Sequence, residues 1–140
     1  MTDRLIDTNI LVYAYDISEG EKHAASKAIL KQIWEEGGGV VCLQNLMEFF
    51  FVITRKVKNP IGVIKAKTII KDFLQSENWE VIDRDEESFL KAIDLVSQYN
   101  IHFWDATITT YMIDNDISEI ITENKRDFEK IPDINVIVPF

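Results

Sequence analysis

The sequence predicts an α/β sandwich, in which a mostly parallel sheet of about five short strands carries helices on both faces. Short apolar runs, typical of buried strands, recur along the chain, and segments with helical periodicity separate them. Because a helix between two strands returns the chain to the same end of the sheet, such strands pair in parallel. The strands are predicted at residues 5–6, 40–43, 79–82, 119–122 and 136–138.

Helices are predicted wherever apolar residues recur every three or four positions. The first such segment begins after residue 9. The other five occupy residues 24–34, 44–57, 61–74, 87–100 and 105–112. The glycines at 37–39 are expected to stop the second helix, and Pro60 separates the third from the fourth. Asn100 is expected to end the fifth helix in a left-handed conformation.

Length and composition indicate a single domain spanning residues 1–140. The chain has no apolar run long enough to span a bilayer and no secretory signal, so we expect no membrane association and a cytoplasmic location. The net charge of −9 argues against binding nucleic acid through overall attraction. It does not exclude a nucleic-acid enzyme, because a carboxylate cluster neutralised by divalent cations contributes to that charge.

Asp7 stands where the first strand ends and helical spacing begins. Leu5 and Ile6 suit a buried strand, whereas Ile10 and Leu11 belong to the helix that follows. In open α/β sheets, ligands bind beyond the carboxyl ends of the strands, where helix N-termini also begin. A carboxylate at this junction serves equally well as a helix cap or as a metal ligand, and this segment alone leaves both roles open.

The helix at 44–57 is apolar around nearly its whole circumference, which predicts burial on most sides. Glu48 is the only charge within that apolar surface. Because an unpaired buried carboxylate is costly, Glu48 must be protonated, paired with a cation or directed toward a polar cavity. We favour a site carboxylate; an ion pair with Arg55, Lys56 or Lys58, or exposure at the helix edge, is the alternative.

The densest basic region of this acidic chain runs from the end of that helix into the next one. It contains Arg55, Lys56, Lys58 and Lys65. Lysines on helices most often mark a solvated face. A local basic patch also suits the phosphate chain of a nucleic acid, so these four residues are candidates for contact with substrate.

Three further polar residues fall near the same predicted edge of the sheet. Asp105 lies in the first turn of a helix, where the helix dipole favours an acid, and its apolar neighbours Trp104 and Ala106 indicate that this helix start faces inward. Asn124 and Asp127 follow the fourth strand.

The acids Asp7, Glu48 and Asp105 are therefore expected to converge at one edge of the sheet. Adjacent carboxylates repel each other by about 4 kcal/mol at an effective dielectric constant near 20, so the cluster requires a cation. Oxygen ligands without histidine or cysteine select hard ions, and Mg²⁺ or Mn²⁺ is expected. Such ions activate water and stabilise in-line displacement at phosphorus, often as a pair.

Four short motifs follow one another along the chain. They are Asp-Thr-Asn-Ile-Leu at 7–11, Asn-Leu-Met-Glu-Phe at 45–49, Trp-Asp-Ala-Thr-Ile at 104–108 and Ile-Thr-Glu-Asn at 121–124, the last followed by Asp127 and Phe128. In this order and spacing they resemble the signatures of the PIN domain family, nucleases that include the VapC-type toxins. The resemblance covers residues 4–138.

The resemblance implies a three-layer α/β/α fold and a metal-dependent endoribonuclease with Asp7, Glu48 and Asp105 as its acid triad. These acids would hold one or two Mg²⁺ or Mn²⁺ ions, and the bound water would attack an RNA phosphodiester to leave 5′-phosphate and 3′-hydroxyl ends. Thr8 and Asn9 would support the site by hydrogen bonds.

Asn124 stands where many family members have a fourth acid. It is expected to offer a neutral oxygen ligand, so a second ion would bind weakly or only with substrate. Asp127 is close enough in sequence to compensate. Family members commonly form homodimers, and the toxins are blocked by a small antitoxin, so the resemblance implies both partners.

Two other functions remain open from the sequence. A PIN-like RNA-binding or protein-interaction module with weak or no catalysis is indicated by Asn124 and by the net charge of −9. Another magnesium phosphohydrolase or a phospho-acceptor receiver domain is disfavoured. A receiver normally has adjacent acids early and a lysine after its last strand, whereas this chain has Asp7 alone and ends in Pro139-Phe140.

Overall fold

Five short strands form one parallel sheet in the computed structural model, which describes residues 2–140. The strands are β1 (Arg4–Ile6), β2 (Gly39–Cys42), β3 (Trp79–Ile82), β4 (Glu119–Ile121) and β5 (Asn135–Ile137). Their order across the sheet is β3-β2-β1-β4-β5, and all neighbouring pairs are parallel. The predicted fold class and the five predicted strands are confirmed.

Seven helices connect these strands within the described chain. They are α1 (Thr8–Tyr15), α2 (Glu21–Glu36), α3 (Leu43–Arg55), α4 (Val63–Gln75), α5 (Glu86–Tyr99), α6 (Phe103–Asp114) and the short α7 (Lys125–Phe128). Asn100 ends α5 with a φ of 54°, and Gly37 ends α2 with a φ of 84°, as the sequence predicted. The four residues of α7 are too few to show a helical period, so the sequence did not predict this helix.

Alternate residues of the strands supply two separate cores. Ile6 and Val41 pack on one face against α1, α2, α3 and α4, whereas Leu5 and Val40 pack on the other face against α6. Adjacent strand residues point to opposite faces of a pleated sheet, which produces this division. The result is the expected three-layer α/β/α sandwich. No helix within residues 2–140 combines the length and the apolar composition needed to cross a membrane.

Helix α3 is less buried than its sequence indicates. Leu46, Phe49 and Ile53 are completely buried, but Met47 is 66% exposed and Phe51 is 50% exposed. The prediction of burial on most sides is wrong, because apolar residues also cover an outer face of α3 that the described chain leaves in solvent. Glu48 lies next to Met47 in the sequence and is exposed as well.

The strand order places a crevice between β1 and β4. From β1 the chain builds β2 and β3 on one side, and then crosses to build β4 and β5 on the other. Connections that diverge from neighbouring strands open a crevice at the carboxyl ends, which is where open α/β sheets bind ligands. The backbone N–H of Asp7 donates to the carbonyl of Ile121 at 3.0 Å, so Asp7 continues the pairing just beyond β1.

Gly39, at the start of β2, lies where side chains of α2 and β3 pack closely against this strand. A Cβ atom there would lie 2.4 Å from Cγ2 of Ile33 and 2.6 Å from Cε3 of Trp79. We expect Gly39→Ala to lower the free energy of unfolding by about 1–3 kcal/mol through overpacking, measured by urea denaturation. In the control, Gly62→Ala, the added Cβ meets no atom within 4 Å. Equal losses in both variants would contradict the packing described.

Candidate active site

A cleft of about 530 Å³ opens at the crevice between β1 and β4. Asp7, Glu48, Asp105 and Asn124 all line it, together with Thr8 and Asn9. The volume falls within the range of ligand sites in proteins, about 300–1,000 Å³. The structure therefore brings the three predicted acids and the predicted amide ligand to one cavity.

Asp7 is held by neutral hydrogen-bond donors. Its Oδ1 accepts from the backbone N–H of Thr8 at 2.8 Å and, in a longer contact, from Nδ2 of Asn45 at 3.4 Å. Its Oδ2 accepts from the hydroxyl of Thr122 at 2.7 Å. Burial raises the pKa of Asp7, and the charge of Glu48 adds to this effect, while the Thr122 and Thr8 hydrogen bonds oppose it. Asp7 is also the N-cap of α1, so the cap, one of the two roles that the sequence left open, is observed.

Glu48 reaches the cleft from the exposed side of α3. Its Oε1 accepts from Nε2 of Gln44 at 2.8 Å, and its Oε2 accepts from the hydroxyl of Thr8 at 3.3 Å. The ion pairs of the described residues do not include Glu48, so the alternative of a pair with a nearby basic residue is not observed. Exposure at the helix edge is observed, and that edge borders the cleft.

Asp105 lies in the first turn of α6, as predicted. Its Oδ2 accepts from Nδ2 of Asn124 at 3.3 Å. The pKa of Asp105 is raised to about 7. Burial is the largest cause, and the nearby carboxyl of Asp127 and the charges of Asp7 and Glu48 add to it. So high a pKa means that the surrounding protein does little to stabilise the ionised form of this carboxyl group.

Asp127 is buried behind Asp105 and anchors the start of α6. Its Oδ2 accepts from the backbone N–H of His102 at 3.0 Å, and Nζ of Lys130 lies 3.9 Å from its Oδ1. Although burial opposes the change, the His102 N–H and the Asp105 side chain lower the pKa of Asp127. Asp127 does not line the cleft itself.

Asn45 and Thr122 belong to this network, although the sequence did not assign them to it. Oδ1 of Asn45 accepts from the backbone N–H of Cys42 at 2.9 Å, and its Nδ2 donates to the hydroxyl of Thr8 at 3.0 Å. Thr122 donates to Asp7 and accepts from the backbone N–H of Asn124 at 3.0 Å. The available signal was a polar residue at the end of an apolar run, since such a residue is expected to be buried and then needs a partner.

Asn9 ties the start of α1 to the end of β4. Its Oδ1 accepts from the backbone N–H of Glu123 at 3.2 Å, and its Nδ2 approaches the hydroxyl of Thr122 at 3.4 Å. The strand end that carries Asn124 is thereby held beside Asp7.

The four basic candidates lie in different places. Lys56 and Lys58 line the cleft. Arg55 lies over the ring of Phe51 on the outer face of α3, at 5.9 Å from its centroid, and Lys65 lines a separate groove between α1, α2 and α4.

The side chains that line the cleft offer the kind of ligand atoms that a hard divalent cation prefers. Asp7, Glu48, Asp105 and Asn124 offer only oxygen ligands, and the ion pairs found in residues 2–140 include none of the three acids. In the described chain, no three acidic, histidine or cysteine side chains are yet close enough together to hold an ion. An ion held by all three carboxylates would require them to lie closer together, and the exposed Glu48 side chain has the rotamer freedom to move toward the others.

The PIN domain family model matches residues 4–134. The chain belongs to the PIN domain family. The resemblance predicted from the four motifs is thus confirmed. Comparison with curated proteins gives no match.

Solved structures share the PIN fold of this chain. A toxin–antitoxin complex from Klebsiella pneumoniae is 23% identical, with a TM-score of 0.66 over 99% of this chain and 98% of that one. VapC20 from Mycobacterium tuberculosis, a sarcin–ricin loop cleaving toxin, is 15% identical, with a TM-score of 0.64 over 84% and 87% of the two chains. VapBC2 from Rickettsia felis, bound to a DNA fragment from its promoter, is 19% identical, with a TM-score of 0.67 over 97% and 98%.

Asp105→Asn is expected to stabilise the protein in EDTA at pH 8. The pKa of Asp105 rises from its ordinary value of 3.8 to about 7 on folding, so ionising it in the folded protein costs stability as pH rises through this window. Because the side chain is partly exposed, we expect a gain of about 1 kcal/mol in the variant. Melting temperatures at pH 4 and pH 8 measure it, and the gain should vanish at pH 4.

Mn²⁺ should reverse this order at pH 8 by stabilising the wild type more than the variant. A lower melting temperature for Asp105→Asn in EDTA at pH 8 would contradict the charge repulsion inferred for the cleft.

Proposed function

We propose that this PIN domain is a divalent-metal-dependent endoribonuclease and the toxin of a VapBC-type toxin–antitoxin pair. The observation that carries the proposal is that Asp7 from the end of β1, Glu48 from α3 and Asp105 from the first turn of α6 line one cleft. None of the three forms an ion pair in the described chain. Membership of a nuclease family supports the activity. The toxins and toxin–antitoxin complexes among the structural neighbours support the biological role.

Asp7, Glu48 and Asp105 would hold one or two Mg²⁺ or Mn²⁺ ions, and Asn124 would add an amide oxygen. When bound, such an ion supplies an activated water and stabilises the charge that develops on the phosphate. The oxygen-only donor set and the raised pKa values of Asp7 and Asp105 support this assignment. With two ions, the neutral Asn124 would make the second the weaker one.

Thr8, Asn9 and Asp127 would position the acids rather than hold the ion. The backbone N–H of Thr8 donates to Asp7 and its hydroxyl donates to Glu48, so Thr8 links the two acids. Asn9 holds the loop that carries Asn124. Asp127 anchors the turn from which Asp105 projects, through the N–H of His102.

We further propose a single domain over residues 1–140, a cytoplasmic location without membrane association, a homodimer and a small antitoxin partner. Exposed apolar side chains support partners, because a free monomer rarely displays them in groups. Met47 and Phe51 on α3, and Val63 and Ile64 on α4, are each at least half exposed.

A PIN-like RNA-binding or protein-interaction module is the second candidate. It is favoured by Asn124 and by a cleft whose acids are not yet spaced to hold an ion in the described chain. Binding of RNA or of Mn²⁺ without turnover would support it.

Cleavage of a mixed panel of single-stranded and hairpin RNAs tests the first proposal. We expect cleavage in Mg²⁺ or Mn²⁺ and none in EDTA, with 5′-phosphate ends on the products. Asp7→Asn should lose at least about a hundredfold of the rate with its fold intact by circular dichroism, because it loses a charge that holds the ion. Wild-type rates in that variant would contradict the triad assignment.

Lys56 and Lys58 are the basic residues proposed to contact substrate phosphates. Lys56→Gln and Lys58→Gln should each raise KM by about two- to tenfold and reduce the salt dependence of kcat/KM, because each removes a charge that displaces counterions. Arg55→Gln and Lys65→Gln remove the same charge outside the cleft and are the matched controls. Equal effects in all four variants would indicate overall charge rather than contact.

A further inference from the structure

A second pocket, of about 520 Å³, adjoins the acid cleft and is not used by the proposed metal chemistry. We call it the Trp104 pocket. It shares Gln44, Glu48 and Trp104 with the cleft, so the two cavities are neighbours with common walls. Its remaining walls are Leu43, Met47, Asp83 and Arg84.

Trp104 is held in place while much of its surface stays in solvent. The side chain is 58% exposed, and the ring of Phe103 packs against its edge at a centroid distance of 5.0 Å and an interplanar angle of 65°. Phe103 in turn packs against Phe89 at 5.8 Å. Met47, on α3, is 66% exposed and also lines the pocket. The pocket thus offers a fixed indole and a flexible thioether, which suit a flat apolar ligand.

Arg84 supplies a fixed cation to the same pocket. Its Nη1 donates to Oε1 of Gln44 at 3.0 Å and to the hydroxyl of Tyr111. No hydrogen bond to its other guanidinium nitrogens is found among the described residues, and Arg84 lines the pocket, so donors remain for a ligand. Gln44 also donates to Glu48, and this chain of contacts joins the pocket to the acid site.

We propose that the Trp104 pocket binds a nucleobase of a nucleotide that flanks the cleaved phosphodiester. The base stacks on the indole of Trp104, and the guanidinium of Arg84 donates to an acceptor on the base edge. Trp104 lines both the cleft and the pocket, so a base next to a phosphate held at the acids would be within reach of the indole. Unpaired bases are recognised by stacking on aromatic rings and by hydrogen bonds to their edges.

This inference rests on the proposed ribonuclease function for the identity of its ligand. A protein partner would also cover an exposed tryptophan. The concave shape, the fixed cation and the walls shared with the cleft favour a base over a protein surface.

Cleavage of RNA that lacks one base tests the proposal. The cleavage site of a single-stranded RNA is first mapped, and an abasic nucleotide is then placed on its 5′ or its 3′ side. We expect the wild type to lose about tenfold in kcat/KM at one of these positions. Trp104→Leu should lose about tenfold on the intact RNA and nothing further on that abasic RNA, because both changes remove the same contact.

Two other variants separate stacking from structure. Trp104→Phe keeps a ring and should retain most of the activity, and Leu74→Ala alters an exposed apolar side chain outside both pockets and should cleave like the wild type. Independent, multiplying losses from Trp104→Leu and the abasic position would overturn the proposal, as would insensitivity at both flanking positions.

Fluorescence distinguishes failure of the pocket from failure of the nuclease. Trp104 is the most exposed of the three tryptophans, so short oligoadenylate or oligouridylate in Mg²⁺ should quench the emission of the wild type. Because Trp104 is the reporter, the informative variant is Arg84→Gln, which keeps the indole and alters only the pocket. Quenching that Arg84→Gln weakens would support the base pocket even if no RNA were cleaved. Absence of quenching would overturn it. Dissociation of a wild-type dimer by Trp104→Leu in sedimentation would instead assign Trp104 to a protein interface and overturn it.

Discussion

The candidate site depends on the position of Asp7 at the carboxyl end of the central strand. β1 lies between β2 and β4, so Asp7 sits where the connections of the chain diverge to the two sides of the sheet. Its carboxylate is fixed by Thr8 from α1, by Asn45 from α3 and by Thr122 beyond β4. Because these three donors are neutral, they fix the carboxylate without cancelling its charge, which leaves that charge available to an ion.

The buried position of Asp7 also determines the electrostatics of the cleft. Asp105 and Glu48 reach toward a carboxylate that is buried and has no basic partner in the described chain. Burial and mutual repulsion raise the pKa values of Asp7 and Asp105, so the protein is destabilised at this cleft when both carboxyl groups are ionised. Raised carboxyl pKa values within a cleft are a physical sign of a functional site. The adjoining Trp104 pocket differs in character, since apolar side chains form much of its wall and Arg84 places a cation beside the acids Glu48 and Asp83.

The sequence predicted the strands, the longer helices and the positions of Asp7 and Asp105 within them, because these depend on local patterns. Asp7 follows an apolar run and Asp105 begins a helix, so each was visible from its neighbours. Asn45 and Thr122 were not assigned, because their roles consist of contacts with residues 37 and 115 positions away.

Burial on the outer face of α3 was wrongly predicted, because composition does not reveal which apolar residues the fold covers. The Trp104 pocket was also beyond the sequence. Arg84 follows β3 and Gln44 begins α3, and only the pairing of β3 with β2 places them in contact. No local sequence pattern predicts the strand order that brings them together.

Anomalous scattering from crystals grown with Mn²⁺ is the most direct test of the central claim that these acids form one metal site. We expect an anomalous peak bounded by carboxylate oxygens of Asp7, Glu48 and Asp105, with the Glu48 side chain moved toward the other two. Asp7→Asn crystals grown in the same way should lack the peak. Wild-type crystals with no peak in the cleft, or with Mn²⁺ bound only elsewhere, would contradict the assignment.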